Sequence, residues 1–283
     1  MSNPTGTLYV VATPIGNMGD ITSRAIDVLK NVDCIAAEDT RRTLPLLRNF
    51  GIQTRCVACH DHNEKNAAKG LIKLLLEGKN IALVSDAGTP LISDPGFILV
   101  REAISLENVD VVPVPGPCAA IAALSAAGMP TRKFVFEGFL PAKQAERKRH
   151  LITLEKEQRT LVFYESSHRI LALFDDLLEQ FGAQRHVALA KEITKLHETF
   201  KVGELQQVAA WLNEEEVRRK GEFVVIVEGV SKDSTESDRV EARRVLAALL
   251  TELSVKKASK VAAQIVNINK NELYQMALEL VAE

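Results

Sequence analysis

The residues of this chain that could do chemistry stand just after short apolar runs typical of buried strands. The clearest case is Ile81–Val84, which is followed by Ser, Asp, Gly, Thr and Pro before a helix is predicted to begin at Phe97. Carboxylates and imidazoles in such positions can accept or donate protons, and loop N–H groups can hold a ligand. The ionisable residues at these predicted strand ends are Glu38, Asp39, His60, Asp61, His62, Asp86, Asp94, Glu165 and His168.

The signatures of several common enzyme classes are missing from the sequence. There is neither a G-x-x-x-x-G-K-[ST] phosphate loop nor an H-E-x-x-H zinc motif. The first predicted strand is followed by Thr13-Pro14-Ile15-Gly16 rather than G-x-G-x-x-G, which argues against a dinucleotide oxidoreductase. Strand-end clusters without a recognisable nucleophile or metal motif suit a transferase whose cofactor carries the reactive group.

One short motif, Cys56-Val57-Ala58-Cys59-His60, matches the C-x-x-C-H pattern of haem attachment, and His62 adds a further candidate metal ligand. The N-terminus has no basic region followed by an apolar stretch, so it does not resemble an export signal. Cys56 also lies inside a strand-like run. We therefore interpret the cysteines as small buried residues and predict no metal site.

The elements that must position these residues alternate between strand-like and helix-like segments, which is typical of an α/β protein. Gly88 and Gly96 would let a ligand approach the backbone after the Ile81–Val84 strand, while Pro90 and Pro95 would stiffen that loop. A second α/β series begins at Phe134, and a polar run from Ser231 to Asp238 is predicted to be a linker. Two or three short helices are predicted beyond it.

Length and composition limit the partners of the chain. Its 283 residues are enough for two domains, and 46% hydrophobic with 25% charged residues is typical of a soluble protein. No apolar run is long enough to cross a membrane, so we predict a cytoplasmic protein. A net charge of −2 gives no overall attraction to nucleic acid, and any RNA contact would have to use local basic patches.

Eight segments together resemble one known family. They read VATPIGNMGDIT, AEDTRRT, HDHNE, LVSDAGTPLISDPG, VPGPCAAIAALSAAG, FEGFLP, FYESSHR and GEFVVIVEG, and they follow one another between Thr7 and Gly229. In combination they resemble the bacterial ribosomal RNA small-subunit methyltransferase I family of the tetrapyrrole methylase superfamily. The resemblance implies 2′-O-methylation of a cytidine in the decoding centre of 16S ribosomal RNA, with S-adenosylmethionine as cofactor.

The same resemblance implies a fold of two α/β domains with the cofactor in the cleft between them, usually in a homodimer. On this chain the domains would span residues 1–114 and 115–230, followed by a small helical extension at 239–283. The cofactor-binding residues carried over are Pro14, Asp86, Gly88, Thr89, Pro90, Ile92, Ser93, Asp94, Cys118, Ala119, Tyr164, Ala190, Phe223 and Val225. Relatives often show the motif G-D-P-x-x-Y-G where this chain has the segment from Gly88 to Gly96, which is two residues longer. Which residue of this segment makes which cofactor contact therefore stays open.

A base that removes the ribose proton would assist the reaction, and Asp39, His60 and Glu165 are the candidates that we select. Each has a structural alternative, such as pairing of Asp39 with Arg41. RNA contacts are predicted at Arg41, Arg42, Lys143, Arg147, Lys148 and Arg149, the last four in a mobile loop. Solvated helix faces would explain these basic groups equally well.

The helical tail carries Lys256, Lys257, Lys260 and Lys270, and either an RNA contact or a packing bundle would explain it. Two alternative functions also remain open. The first is methylation of a tetrapyrrole, and the second is a non-catalytic RNA-binding or ribosome-assembly protein on the same fold.

Overall fold

The computed structural model describes residues 5–61, 63–230, 236–266 and 268–282. Residues 1–228 form one compact unit, and residues 229–283 form a second. The first unit contains two five-stranded sheets, and the second is helical. The predicted α/β fold class with a helical extension is therefore confirmed, and both sheets belong to the first unit.

Two strands of the first sheet, Cys34–Ala37 and Ile81–Val84, are apolar and buried along their whole length, as inner strands of parallel sheets usually are. The strands of this sheet are β1 (Thr7–Val11), β2 (Cys34–Ala37), β3 (Cys56–Ala58), β4 (Ile81–Val84) and β5 (Asp110–Val114). They lie in the order β3-β2-β4-β1-β5, and every pairing is parallel. The carboxyl ends of all five strands therefore meet at one edge, where open α/β sheets bind ligands.

Helices cover both faces of this sheet. They are α1 (Ser23–Asn31), α2 (Thr40–Asn49), α3 (Glu64–Leu76) and α4 (Phe97–Ile104). Leu29 of α1 and Leu47 of α2 pack in one core cluster, whereas Leu75 of α3 and Leu99 of α4 pack in another. The strands and helices follow the apolar periodicity of the sequence closely.

The second sheet mixes parallel and antiparallel pairings. Its strands are β6 (Phe134–Phe139), β7 (Thr160–Ser166), β8 (His186–Lys191), β9 (Thr199–Glu204) and β10 (Glu222–Val227). They lie in the order β6-β7-β10-β8-β9, and only the β6–β7 pairing is parallel. Strand β9 is difficult to predict from the sequence, because TFKVGE contains few apolar residues.

Four helices pack on the second sheet. Helix α5 (Ala119–Ala126) covers one face, and α6 (Gln144–Leu154), α7 (Ile170–Phe181) and α8 (Leu205–Glu214) cover the other. The segment predicted as a mobile basic loop is helix α6, so that prediction was wrong. Its buried Leu151 joins the core beneath α7, which explains why the segment is ordered as a helix.

The second unit consists of α9 (Glu236–Leu250), α10 (Val255–Ala262) and α11 (Lys270–Ala282), which confirms the predicted helical extension. Leu246, Ala258 and Leu273 belong to its apolar core. Residues 231–235 of the predicted linker lie outside the described residues, and Glu236 already belongs to α9. Among the described residues, helices lack the length and apolar character that a membrane span requires.

Candidate active site

A cavity of about 430 Å³ lies between the carboxyl edge of the first sheet and the second sheet. This volume falls within the range of small-molecule and cofactor sites. Its lining comprises Ile15, Glu38, Arg42, Asp86, Ala87, Gly88, Thr89, Ile92, Ser93, Asp94, Cys118, Ala119, Phe139, Tyr164, Glu165, Ser166, Ile193, Lys195, Glu222, Phe223 and Val224. Loops from both sheets therefore converge on one cleft, which we call the central cleft.

The loop after β4 is held against the rest of the first unit by backbone contacts. The Thr13 N–H donates to the Gly88 carbonyl at 2.8 Å, and the Gly88 N–H donates back at 3.1 Å. The Thr89 hydroxyl donates to the Pro117 carbonyl at 2.9 Å. Gly88 has a φ of +80°, and a Cβ there would stand 3.2 Å from Cγ2 of Ile15. Glycine therefore allows the loop to pack closely against the first strand end.

Strain is concentrated at the tip of the same loop. Leu91 and Ser93 both have a φ of +71°, a conformation that non-glycine residues rarely adopt. Across the cleft, Gly138 has a φ of +62°, and a Cβ there would come 2.9 Å from the Ser93 hydroxyl. Gly138 lies where the β6–β7 register shifts, so a bulge in the second sheet makes room for the loop. Strained backbone of this kind often accompanies functional sites.

A buried carboxylate anchors the far end of the loop. Oε1 of Glu64 accepts hydrogen bonds from the N–H groups of Gly96 at 3.1 Å and Ile98 at 2.7 Å. It thereby caps the N-terminus of α4, whose N–H groups would otherwise lack partners. Glu64 was not among the residues selected from the sequence. Its role depends on partners 32 and 34 residues away, which no local pattern indicates.

Three carboxylates of the first sheet line the cleft. Glu38 accepts a hydrogen bond from the Asp86 N–H at 3.2 Å, and Asp86 lies 3.3 Å from Nε of Arg42. Burial raises the pKa of Glu38. Burial, followed by the charge of Glu38, raises the pKa of Asp94 to about 7. The first-sheet side of the cleft is therefore acidic, and Asp94 changes its charge near neutral pH.

The second sheet contributes an aromatic wall. The Tyr164 hydroxyl accepts a hydrogen bond from the Ala120 N–H at 3.0 Å, and burial raises its pKa. The rings of Phe136 and Phe139 pack edge-on against Tyr164, with centroids 5.0 and 5.6 Å away. Phe139 remains 55% exposed in the cleft. The sequence analysis did not select Phe139, although the FEGFLP segment contains it.

Glu165 lies at the end of β7 and is only 1% exposed. Its Oε1 accepts the Ser166 N–H at 2.8 Å, while Oε2 lies 3.3 Å from Nη2 of Arg169 without a hydrogen bond in the described structure. A buried acceptor without a hydrogen-bond partner calls for an explanation. Because Glu165 lines the cleft, a ligand hydroxyl could supply the missing donor.

The other two candidate bases line a neighbouring cavity of about 400 Å³, which shares Glu38 and Asp86 with the central cleft. Asp39 caps α2 by accepting the Arg41 N–H at 2.9 Å and pairs with the Arg41 side chain at 2.7 Å. These bonds lower the pKa of Asp39 to about 2, so it is a weak proton acceptor. His60 lies in the same cavity, and His62 lies outside the described residues.

Most of the predicted cofactor residues line the central cleft, and four do not. Those in its lining are Asp86, Gly88, Thr89, Ile92, Ser93, Asp94, Cys118, Ala119, Tyr164 and Phe223, and those outside it are Pro14, Pro90, Ala190 and Val225. Ala190 is fully buried beneath α5. Val225 packs in the core beneath α7 and α8, and the adjacent Val224 lines the cleft instead. Successive strand residues point to opposite faces, so the expected contact shifts by one position.

The predicted RNA-binding residues differ in exposure. The side chains of Arg41, Arg42 and Lys143 are 87%, 70% and 82% exposed, and Arg149 is also exposed. Lys148 is half-buried and forms an ion pair with Glu179.

Arg147 has a different role from the one predicted. Its side chain is 4% exposed, and its Nε lies 2.7 Å from Oδ2 of Asp176. Reaching a phosphate would require breaking this buried pair, which would leave a charge without its partner. We therefore assign Arg147 to the core between α6 and α7 rather than to RNA binding.

The cysteines of the C-x-x-C-H motif are reduced, and Cys59 packs in the apolar core beneath α3. Burial raises the pKa of both Cys56 and Cys59 to about 11. Metal binding needs the thiolate form, which this environment disfavours.

Solved structures with the same fold include that of the methyltransferase CobJ, with a TM-score of 0.59 and 18% identity over 80% of this chain and 95% of that chain. The structure of diphthine synthase is similar as well, with a TM-score of 0.59 and 13% identity over 79% of this chain and 90% of that one. The family model for tetrapyrrole (corrin/porphyrin) methylases matches residues 7–209. Fold, cleft and family model together define a protein of the tetrapyrrole methylase class.

Sequence relatives narrow this class. The chain is 54% identical over 277 residues to ribosomal RNA small subunit methyltransferase I of Escherichia coli O157:H7, covering 98% of this chain and 96% of the relative. It is 50% identical to the protein of the same name in Pseudomonas aeruginosa, over 97% of both chains. The RsmI C-terminal HTH domain model matches residues 236–281. The chain belongs to the ribosomal RNA small subunit methyltransferase I family.

Proposed function

We propose that this chain uses S-adenosylmethionine to methylate the 2′-hydroxyl of a cytidine ribose in the decoding centre of 16S ribosomal RNA. The observation that carries the proposal is the 54% identity to a named ribosomal RNA methyltransferase over 98% of the chain. That similarity spans both the central cleft and the helical extension. We further propose a homodimer acting on the small ribosomal subunit.

The central cleft fits this cofactor in size and chemistry. Its volume of about 430 Å³ suits a ligand of this class, and Gly88 keeps the backbone accessible at the first-sheet edge. Gly88, Thr89, Ile92, Ser93 and Asp94 would hold its amino-acid and ribose parts. Tyr164, Phe223 and Val224 would form the apolar wall around its adenine. The cofactor supplies a methyl group already activated by a positively charged sulfur.

This chain has to align the ribose hydroxyl with that methyl group and accept the hydroxyl proton. Alignment alone can lower a barrier by roughly 7 to 11 kcal/mol in favourable cases. Glu165 is our candidate for the acceptor, because the residue lines the cleft and its buried Oε2 has no hydrogen-bond donor in the described structure. Nη2 of Arg169, 3.3 Å from Oε2, would hold the carboxylate in position.

RNA would be held by exposed cations around the cleft and on the helical extension. Arg42 lines the cleft itself, and Arg41, Lys143 and Arg149 are exposed on the same unit. On α10, Lys256, Lys257 and Lys260 are exposed, and this helix carries no acidic residue. Phosphate contacts of this kind fix the orientation of RNA and make its binding dependent on salt.

Methyl transfer from labelled S-adenosylmethionine tests the proposal. We would offer the purified protein assembled small subunits, protein-free 16S ribosomal RNA and a porphyrinogen, and then map the modified nucleotide. We expect label on a single cytidine ribose of the subunit. Label on the porphyrinogen alone would support a tetrapyrrole methylase. Failure to bind the cofactor in calorimetry, with RNA binding retained, would support a non-catalytic RNA-binding protein.

A further inference from the structure

The charged side chains that line the central cleft are unequally paired. Asp86 lies 3.3 Å from Arg42, Glu222 lies 2.7 Å from Lys195, and Glu165 lies 3.3 Å from Arg169. Asp94 and Glu38 line the same cleft but form no ion pair with any residue that the structure describes. The cleft therefore carries two carboxylates that lack an ion-pair partner among the described residues.

Asp94 is held in this environment by the surrounding backbone. It follows the strained residues Leu91 and Ser93, and the close approach of Gly138 braces the loop from the second sheet. Ser85 lies in hydrogen-bonding range, although its hydroxyl also reaches the Ala87 carbonyl at 3.2 Å. The loop cannot move Asp94 into solvent without giving up these contacts.

The groups that face Asp94 come from several elements. After β2, β3 and β4 they are Glu38, Asp61 and Asp86, and from α2, β7 and the start of α5 they are Arg42, Tyr164, Glu165 and Cys118. Acidic groups outnumber the two cations of the cleft lining, Arg42 and Lys195. Arg42 is already paired with Asp86, and Lys195 is paired with Glu192 and Glu222. Burial and these like charges hold the pKa of Asp94 at about 7. A bound cation would relieve this repulsion, and a neutral ligand would not.

We propose that Asp94, supported by Glu38, is the countercharge by which this cleft prefers the cationic methyl donor to the neutral product, S-adenosylhomocysteine. This inference rests on the proposed function. In methyl transfer the sulfur–carbon bond breaks, a carbon–oxygen bond forms, and the hydroxyl proton leaves to a base. The sulfur thereby loses its positive charge. The bound product would carry a neutral thioether, which gains nothing from a carboxylate charge in the cleft, so the cleft would bind it less tightly than the donor.

Calorimetry on the full chain tests the countercharge role of Asp94. The two ligands are S-adenosylmethionine and S-adenosylhomocysteine, which differ at the sulfur. We would measure both affinities between pH 6 and pH 8, in two buffers of different ionisation enthalpy. We expect the affinity for the donor to rise relative to that for the product as pH passes 7. Binding of the donor near pH 7 should release part of a proton, because the cation favours ionised Asp94.

Two variants and a control assign the effect to these residues. Asp94→Asn should narrow the donor-to-product affinity ratio at pH 8 about tenfold, or roughly 1.4 kcal/mol, and abolish the pH-dependent part of that ratio. Glu38→Gln should narrow the donor-to-product affinity ratio by a smaller factor. This variant also tests the countercharge role if Asp94→Asn does not fold. Asp175→Asn, on the exposed face of α7, should leave the ratio unchanged.

The calorimetric results distinguish failure of the countercharge role of Asp94 from failure of the proposed function. If the wild type binds both ligands with a ratio that neither pH nor Asp94→Asn alters, the countercharge role is wrong and the proposed function stands. If the wild type binds neither ligand, the proposed function and the countercharge role fall together.

Discussion

The two sheets bound the same cleft but contribute to it by different physical means. In the first sheet all strands run in parallel, so their carboxyl ends deliver Glu38, Asp86 and Asp94 to one edge. In the second sheet β7 and β10 are antiparallel, so the end of one strand lies beside the start of the other. The first sheet therefore contributes mainly loop backbone and charged groups to the cleft, whereas the second sheet contributes mainly packed side chains.

The two sheets also differ in whether their charged side chains form ion pairs. On the second sheet Arg147 and Asp176, which are both almost fully buried, form an ion pair. On the first sheet Asp94 and Glu38 line the cleft and form no ion pair with a described residue. Paired buried ions maintain the structure, whereas unbalanced ones are available to a ligand. The comparison predicts that substitutions on the second sheet mainly cost stability and those on the first mainly change binding.

The largest expected effect is on the stability of the second-sheet side. Arg147→Ala should lower the free energy of unfolding by roughly 3 kcal/mol, because it leaves the buried Asp176 carboxylate without its main partner. Urea unfolding followed by circular dichroism measures this. Arg149→Ala, on the exposed face of the same helix, should cost less than about 0.5 kcal/mol. Equal losses in the two variants would remove the distinction between paired core ions and surface cations.

Glu165 is the exception that sharpens the comparison, because it belongs to the second sheet and yet has an acceptor without a hydrogen-bond donor. Glu165→Gln should lower kcat about 100-fold, equivalent to roughly 2.7 kcal/mol, while cofactor affinity changes less than about threefold. Single-turnover methyl transfer and calorimetry measure the two quantities. Glu214→Gln, exposed on α8, is the matched control. A normal kcat in Glu165→Gln would exclude Glu165 as the proton acceptor.

On the first sheet, Gly88→Ala tests whether the loop backbone forms the ligand site. The φ of +80° and the 3.2 Å approach to Ile15 should cost about 1 to 2 kcal/mol of stability and weaken cofactor binding roughly tenfold. Gly51→Ala supplies the control, because its φ is +61° and its Cβ would meet nothing within 4 Å. Both variants should be destabilised, and only Gly88→Ala should lose affinity. If both bind the cofactor normally, the backbone at Gly88 does not shape the site.

The sequence predicts the fold well because apolar runs such as Ile81–Val84 and the periodic apolar face of α7 determine the elements directly. It predicts the first-sheet edge for the same reason, since polar residues after parallel strands must meet there. The second-sheet wall is harder to predict. Val224 rather than Val225 lines the cleft, and deciding between them requires the register of β10, which composition does not reveal.

Long-range pairs account for the remaining errors. Arg147 resembles its basic neighbours in sequence, and only Asp176, 29 residues away, makes it a core residue. The role of Glu64 also depends on distant partners, because the N–H groups that it binds lie beyond β4. Phe139 and Gly138 depend on a bulge in β6 that places one in the cleft and the other against Ser93. Contacts of this kind become visible only once the chain is folded.

The smallest expected effect concerns pH and again separates the two sides of the cleft. The pKa of Asp94 is raised from an ordinary 3.8 to about 7. The folded protein therefore holds this proton more tightly than the unfolded chain does, and this contribution to stability falls as pH rises from about 4 to 7. Above pH 7 the folded state carries the unfavourable charge in full.

Asp94→Asn should accordingly raise the free energy of unfolding of the ligand-free protein by roughly 1 to 2 kcal/mol at pH 8, after allowing for solvent screening. At pH 4 the gain should vanish, because the side chain at this position is then neutral in the folded state of both the wild type and the variant. Thermal unfolding at the two pH values measures the difference. Asp39→Asn should show no such gain at pH 8, because bonds to Arg41 stabilise the ionised form of Asp39. A pH-independent effect of Asp94→Asn would show that the first-sheet side does not carry an unbalanced charge.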